Sequence, residues 1–411
     1  MPDGAASSHL FVPKLVTAFG EGYGVARLRT DAAAALTVAI VALPLSMAIA
    51  VASGVSPERG LYTAIVGGFL VSALGGSRYQ IGGPAGAFIV LVAATVAQSG
   101  LQGLILTVLL SGLMLTVLGL TRLGSLIRHI PHPVTIGFTC GIAVTILVSQ
   151  IRDFAGLSLA GGGAGPLPET LALGVATAAV IFGLKRYRPT WPGMLIAVAA
   201  AAAAAAWMHL PVETIGSRFG GLPQTLPRPA LPSATPALLL QILPAALSFT
   251  LLGGVESLLS AKVADGMTGR RHRSNMELVA QGLANIGSAL FGGLPVTGTI
   301  ARTATNVRAG ATSPVSGMLH AAFLLVFLLI AAPLARYIPL AALAGVLVTV
   351  CWSMVEKAEI VRLIRNWRTG AVLLATFGLT VVEDLTAGIV AGCLLAAVFA
   401  LFKQRVPEEG D

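Results

Sequence analysis

The sequence predicts an all-α polytopic membrane protein with 14 transmembrane segments in a 7+7 inverted repeat. Three observations carry that expectation. Of the 411 residues, 55% are hydrophobic and only 10% charged, against about 25% charged in soluble domains. The apolar residues gather in runs near the ~20 residues that a helix needs to cross a bilayer. A short motif also recurs about half the chain later, each time before a span interrupted by Gly and Pro. This composition excludes a soluble globular protein, and disorder too, which requires low hydrophobicity.

Continuous spans are expected near 31–53, 57–75, 100–120, 133–150, 167–184, 190–207, 237–262, 313–332 and 384–402. Shorter or interrupted ones lie at 84–98, 274–291, 299–309, 338–352 and 355–382, which brings the count to fourteen. With the N-terminus in the cytoplasm, 20 of the 26 Lys and Arg residues fall on the inside, 5 outside, and Arg302 within a span. Such a split is the positive-inside signature and puts both termini in the cytoplasm. The net charge of +9 is then an orientation signal, and no nucleic-acid partner is expected. The first 30 residues lack the apolar core of a secretory signal. Cys140, Cys351 and Cys393 each sit in an apolar run and read as packing residues. No cofactor or metal motif is present, and the scattered His129, His132, His272 and His320 form no evident metal set. The loops at 160–168 and 208–236 read as flexible connectors.

The recurring motif is Ser72-Ala73-Leu74-Gly75-Gly76 leading to Gly82-Gly83-Pro84-Ala85-Gly86. Its second copy is Ser288-Ala289-Leu290-Phe291-Gly292-Gly293 leading to Gly298-Thr299, 216 residues on. Seven spans separate the copies, so one is inverted relative to the other. Paired, interrupted spans in two halves mark a transporter site. Extended backbone cannot face lipid with its N–H and C=O groups unsatisfied. Residues 79–83 and 294–298 are therefore expected as short extended pieces. Each leads into a half-helix, starting near Pro84 and Thr299. Two helix N-termini aimed at mid-membrane make an anion site, with Gly86 and Gly298 allowing close approach. The competing reading is ordinary small-residue helix packing.

Two charges fall well inside spans, Glu256 and Arg302. Each is costly there and is a functional hypothesis by default. Arg302, one turn into the second half-helix, would add a full positive charge to the dipole end. Glu256 is the candidate proton carrier. The competing reading joins the two in a fixed structural ion pair. Other polar residues read as architecture. Ser274–Glu277 has a capping-box pattern, Asp31 and Asp384 suit helix N-termini, and Gly388 with Gly392 forms a packing pair.

These residues resemble the SulP anion permeases (solute carrier family 26). Leu43-Pro44 with Ala48, then Gly60-Leu61-Tyr62, looks like that family's first two spans. Gly76-Ser77-Arg78 through Gly83-Pro84 is similar to the third, and Asn275–Leu278 with Gly282 and Asn285 to the ninth. Thr299–Arg302 with Asn306 to Gly310 resembles the tenth, and Asp384–Ile389 the last. The resemblance implies a core domain of residues 31–120 (spans 1–4) and 237–332 (spans 8–11). It implies a gate domain of residues 121–207 (spans 5–7) and 333–403 (spans 12–14). Residues 1–30 would be a cytoplasmic segment, 208–236 an extracytoplasmic loop and 404–411 a cytoplasmic tail. Carried over by position, Leu45, Ile49, Ala85, Gly86, Ala87, Ala301 and Arg302 line the anion site, together with Thr299 at the half-helix start. Glu256 falls at an acidic ion-coupling position. Departures are Ala85, where relatives often carry an aromatic residue, and Leu45, where many carry Gln. The family usually continues into a cytoplasmic STAS domain, absent after residue 404 here, so the chain is a truncated piece or a short member. That domain is expected to help a homodimer form.

The expected function is a secondary active anion transporter in a bacterial inner (plasma) membrane, a proton-coupled symporter of sulfate, bicarbonate, chloride or small dicarboxylates. The core would move against the gate, and no cofactor is needed. Alternatives are an uncoupled anion channel or an exchanger on the same scaffold. A nucleobase transporter would leave Arg302 without a counter-charge. No nucleophile–base set supports an enzyme. Ser260, one turn from Glu256, keeps sodium coupling open.

Overall fold

The computed structural model describes residues 11–124, 131–154, 168–189, 191–383 and 385–404. Asp384, His129, the 160–167 loop and the tail from 405 lie outside them.

The chain begins with α1 (Lys14–Gly20) and α2 (Val25–Ala52), then α3 (Pro57–Tyr62), which passes through a π-turn into α4 (Gly68–Leu74). Strand β1 is only Gly82–Gly83. A 3₁₀ turn, Gly86–Phe88, then opens α5 (Ile89–Leu120). Gly100, at φ 65° and ψ −173°, breaks α5 into two rods, a conformation open to glycine and strained for other residues. Next come α6 (His132–Phe154), α7 (Pro168–Tyr187), α8 (Gly193–Trp207) and the short α9 (Ile215–Phe219). The second half has α10 (Pro236–Thr268), α11 (Ser274–Leu290), β2 (Thr297–Gly298), α12 (Ile300–Arg308), α13 (Val315–Ile330) and α14 (Ala332–Ala335). It ends with α15 (Leu340–Met354), α16 (Lys357–Ile364), α17 (Trp367–Val382) and α18 (Leu385–Gln404). Among the described residues, six helices are long and apolar enough to cross a membrane, and four shorter apolar helices accompany them.

The helices pack in two groups. One joins α2, α4, α5, α10, α11, α12 and α13. The other joins α6, α7, α8, α15, α17 and α18, and α2 touches both groups through α8 and α15. Within the first, α5 and α11 approach so closely that a Cβ on Gly282 would lie 2.2 Å from Thr116 Oγ1 and 2.6 Å from the Gly112 carbonyl. Gly388 and Gly392 of α18 face Thr380 and Thr376 of α17, which fits their reading as a packing pair.

Three readings of the sequence need correction. Ser274–Glu277 is not a capping box: Arg273 occupies the cap of α11 and makes no side-chain capping bond, and Glu277 reaches elsewhere. Asp31 does not serve its own helix start. It accepts from Thr312 N (2.6 Å), the Thr312 and Ser313 hydroxyls and Tyr23 Oη (2.8 Å), clamping α2 to the turn before α13. The 208–236 segment is not a free connector. Ile215 N–H donates to the Ile338 carbonyl and Leu340 N–H to that of Glu213, Ile215 is fully buried, and a Thr214–Ser217 capping box starts α9.

Outside the spans, Glu21 takes both ends of the Arg78 guanidinium, one bond at 2.7 Å, with Arg270 at 3.9 Å. The hydrogen bond from Arg78 holds the Glu21 carboxyl below its usual range. Burial, together with the bond to Asp31, pushes the Tyr23 phenol up to about 12.

Candidate functional site

The two interrupted segments meet. β1 and β2 pair antiparallel, with Gly82 opposite Gly298 and Gly83 opposite Thr297. This is the least backbone that passes two chains through one point inside an apolar body, and every polar group in it needs a partner. Those partners are side chains. On the first peptide, Ser77 N donates to Glu277 (2.9 Å), Ile81 N to Thr303 Oγ1 (3.1 Å), and the Tyr79 carbonyl accepts from Asn306 Nδ2 (2.9 Å). Thr299 N donates to the Ile81 carbonyl at 3.1 Å. On the second peptide, Asn285 pairs with Val296 in both directions, at 2.8 and 2.9 Å. Leu294 N donates to Thr63 Oγ1, and its carbonyl accepts from Ser288. From α10, Ser257 pairs with Thr297 Oγ1 at 2.8 Å and accepts from Gly298 N at 3.2 Å.

Glu277 is the hub. It is fully buried in α11 and accepts from Gln80 Nε2 (2.8 Å) and Gln281 Nε2 (3.1 Å) as well as Ser77 N. Gln80 also donates to the Ser257 carbonyl. The sequence carried a signal for this hub. Glu277, Gln281 and Asn285 recur every four residues, a polar stripe along one face of an apolar helix. Gln80, Ser257, Thr297 and Thr303 had no such pattern and emerge only from the fold.

At the ends of the crossing the half-helices begin. Ala85, at φ −117° and ψ 145°, is the extended residue before the 3₁₀ turn, and Thr299 is the N-cap of α12. Their first N–H groups have no intrahelical acceptor, and Ala85 N makes no hydrogen bond with a described residue. Leu45, Ile49, Ala85 and Ala87 are buried in one apolar cluster with Phe88, with Phe138, Ile142 and Ile146 of α6 and with Leu343, Val346 and Leu347 of α15. Gly86 faces Ile146 Cδ1: a Cβ there would lie 3.7 Å from it. Of the predicted site residues on the second half, Ala301 is exposed, Thr299 is buried and Arg302 is 2% exposed.

Arg302 points behind the crossing. Its Nη2 donates to the Pro84 carbonyl at 3.1 Å, while Nε and Nη1 are buried with no hydrogen-bond partner. Glu256 is half-buried, and its Oε2 is likewise enclosed without a partner. The fixed Glu256–Arg302 ion pair, the competing reading, does not form. Ser260, beside Glu256, spends its hydroxyl on Thr303 Oγ1 at 3.1 Å.

Two crossed half-helices, a buried guanidinium beside them and an apolar helical body around them are the framework of a membrane transporter. Residues 28–376 match the sulfate permease family, and the chain belongs to that family, whose members are anion transporters and not enzymes. YvdB of Bacillus subtilis (strain 168), named as a sulfate transporter, is 42% identical over 406 residues, covering 94% of this chain and 76% of YvdB. The bicarbonate transporter BicA of Picosynechococcus sp. is 30% identical over 401 residues, covering 91% of this chain and 70% of BicA. Among solved structures, the transmembrane domain of a cyanobacterial BicA superposes with a TM-score of 0.80 at 29% identity, covering 89% of this chain and 98% of that domain. The murine Slc26a9 anion transporter in its inward-facing state reaches a TM-score of 0.86, covering 99% of this chain and 73% of that one. At 16% identity that likeness speaks for the fold alone.

Proposed function

We propose that the protein is a secondary active transporter that carries a small anion of the sulfate, bicarbonate or dicarboxylate class between the two half-helix N-termini. The observation that carries this reading is the pairing of Gly82–Gly83 with Thr297–Gly298. It sets the Ala85 and Thr299 helix starts together beside the Arg302 guanidinium. Leu45, Ile49, Ala85, Gly86, Ala87, Thr299 and Ala301 line the space, and Arg302 supplies positive charge from behind. In this reading the chain crosses the plasma membrane fourteen times as two inverted halves, with both termini cytoplasmic. The helix group around the crossing moves as a core against the α6, α7, α8, α15, α17 and α18 group as a gate, and the protein works as a homodimer.

Moving an anion into a cell against a negative interior costs about 2.3 kcal/mol per charge per 100 mV, so concentrative uptake needs a co-transported cation. Glu256 is the carrier we assign. Its unpartnered Oε2 beside the second half-helix is free to hold a proton, which a carboxylate locked in an ion pair would not be. Uptake of labelled sulfate, bicarbonate, chloride and fumarate into proteoliposomes, with and without an inward proton gradient, tests both claims. The gradient is expected to drive accumulation of at least one of these anions, and Glu256→Gln to bind that anion but not concentrate it. Conductive flux with no accumulation would identify a channel instead. Glu256→Gln vesicles that accumulate anion as the parent does would remove Glu256 as the carrier.

A further inference from the structure

The inference concerns Gly83, to which the reading above gives no role, and it rests on that reading. Gly83 sits in β1 against Thr297. A Cβ built on it would lie 2.3 Å from Arg302 Nη1 and 3.5 Å from the guanidinium carbon, so the space a side chain would fill is already occupied by the cation. One residue on, the Pro84 carbonyl accepts from Arg302 Nη2. That carbonyl and the Ala85 N–H belong to a single peptide unit. The N–H end makes no hydrogen bond with a described residue and stands at the start of the first half-helix. A cation bonded at the oxygen of a peptide polarises the unit and strengthens its N–H as a donor. Arg302 is 2% exposed and meets this peptide at its carbonyl end.

We propose that Gly83 is a positioning residue for anion affinity: its bare α-carbon seats the Arg302 guanidinium on the Pro84 carbonyl, and the Pro84–Ala85 peptide carries that charge to the anion through the Ala85 N–H. Arg302 then acts on the substrate without touching it, and the two halves of the protein are joined electrically at one peptide bond. Any side chain at 83 pushes the guanidinium off the carbonyl, whatever else it leaves intact.

The test is a double-mutant cycle on the full chain in nanodiscs, titrated with sulfate and with bicarbonate. Gly83→Ala is expected to weaken binding about tenfold, the size of one charge-assisted contact. In an Arg302→Gln background the same change is expected to have no further effect, because the group it displaces is gone. A purely structural role for Gly83 would weaken binding equally in both backgrounds, and that result overturns the proposal, as does parent-like affinity of Gly83→Ala. If Gly83→Ala fails to keep the parent's thermal unfolding midpoint, lactic acid in place of Ala85 decides. That replacement removes the N–H and weakens the carbonyl, so it is expected to lower affinity and to mask Arg302→Gln; unchanged affinity overturns the proposal. A parent that binds neither anion, nor chloride nor fumarate titrated in the same way, overturns the underlying transport reading and this proposal with it. A parent that binds while Gly83→Ala binds equally well overturns this proposal alone.

Discussion

The peptide from Tyr79 to Phe88 and the peptide from Leu294 to Arg308 run past each other in opposite directions, and they meet the interior differently. The first carries small, uncharged residues into its half-helix: Pro84, Ala85, Gly86 and Ala87. Its backbone is satisfied from across the molecule, by Thr303 and Asn306, and Glu277 holds its Gln80 side chain. The second is satisfied mostly from its own half, by Asn285, Ser288 and Ser257, and it contributes the guanidinium. One crossing therefore offers bare N–H groups and space, while the other offers charge and a polar scaffold. The antiparallel pair of strands supplies the frame, and the side chains divide the work around it.

The largest expected effect comes from filling the space on the first side. Gly86 is half-buried, and a Cβ built on it would meet only Ile146 Cδ1 among the described residues, at 3.7 Å, so added atoms there are expected to take the space proposed for the anion. Gly86→Leu is expected to abolish anion binding in titration while leaving the thermal unfolding midpoint close to the parent's. Unchanged affinity would take the first half-helix out of the site.

On the second side the effect is electrostatic and smaller. Arg302→Gln removes the charge and leaves a shorter, neutral hydrogen-bonding side chain. The loss of a charge-assisted contact costs about 1.5–3 kcal/mol, or one to two decades in affinity, and divalent anions are expected to lose more than monovalent ones. Equal loss for sulfate and chloride would make Arg302 a structural cation and weaken the contrast between the two crossings.

Much of the fold was legible in the chain, for identifiable reasons. Apolar runs and Gly/Pro interruptions are local signals, and they put extended pieces at 79–83 and 294–298, where β1 and β2 now lie. Arg302 and Glu256 were legible as isolated charges in apolar sequence. The direction in which Arg302 points was not, because Gly83 and the Pro84 carbonyl are more than 200 residues away from it in the chain. The same holds for Glu277. Its local sequence fits a capping box, and only the arrival of Ser77 and Gln80 beside α11 gives the carboxylate stronger partners than its own helix end. Asp31 was misread in the same way, since the hydroxyls of Thr312 and Ser313 reach it from the other half.

The crossing and the half-helix start beyond it also differ in packing tolerance, which stability measures directly. A Cβ on Gly298 would lie 1.8 Å from Gln80 Nε2 and 2.3 Å from its side-chain carbonyl carbon, and Gln80 is held in turn by Glu277 and Ser257. Gly298→Ala is expected to destabilise by about 1–3 kcal/mol as overpacking does, read as a lowered thermal midpoint. Gly86→Ala, one methyl at the start of the first half-helix, where a Cβ would lie 3.7 Å from Ile146 Cδ1, is expected to leave the midpoint unchanged. Equal shifts would mean that the first half-helix start is packed as tightly as the crossing.

The smallest effect is a pH dependence confined to the first crossing. The N-terminal segment meets the first crossing directly and the second half only at the start of α11 and through the Asp31 clamp. Lys14 N–H donates to the Gly75 carbonyl, and Glu21 grips Arg78, which stands four residues before Gly82. Arg273, at the start of α11, donates to the Val12 carbonyl at 2.5 Å. The bond from Arg78 holds the Glu21 carboxyl below its usual range. A carboxyl depressed in the folded state contributes stability that is present above its unfolded pKa and is lost as the pH falls through its folded value. The brace is therefore intact at neutral pH and loosens only in acid, below the ordinary carboxylate range near 4.3. Glu21 lies at the surface, where water and salt screen its charge, so the loss is small. The hydrogen-exchange protection factors of the amides from Lys14 to Tyr23, taken relative to the intrinsic rate at each pH, are expected to be high at pH 7 and to fall as the pH drops below about 4. In Glu21→Gln they are expected to be lowered at every pH, while the Leu294–Gly298 amides show the same protection in both proteins at every pH. Faster exchange at Leu294–Gly298 in Glu21→Gln would show that the N-terminal brace supports both crossings and not the first alone.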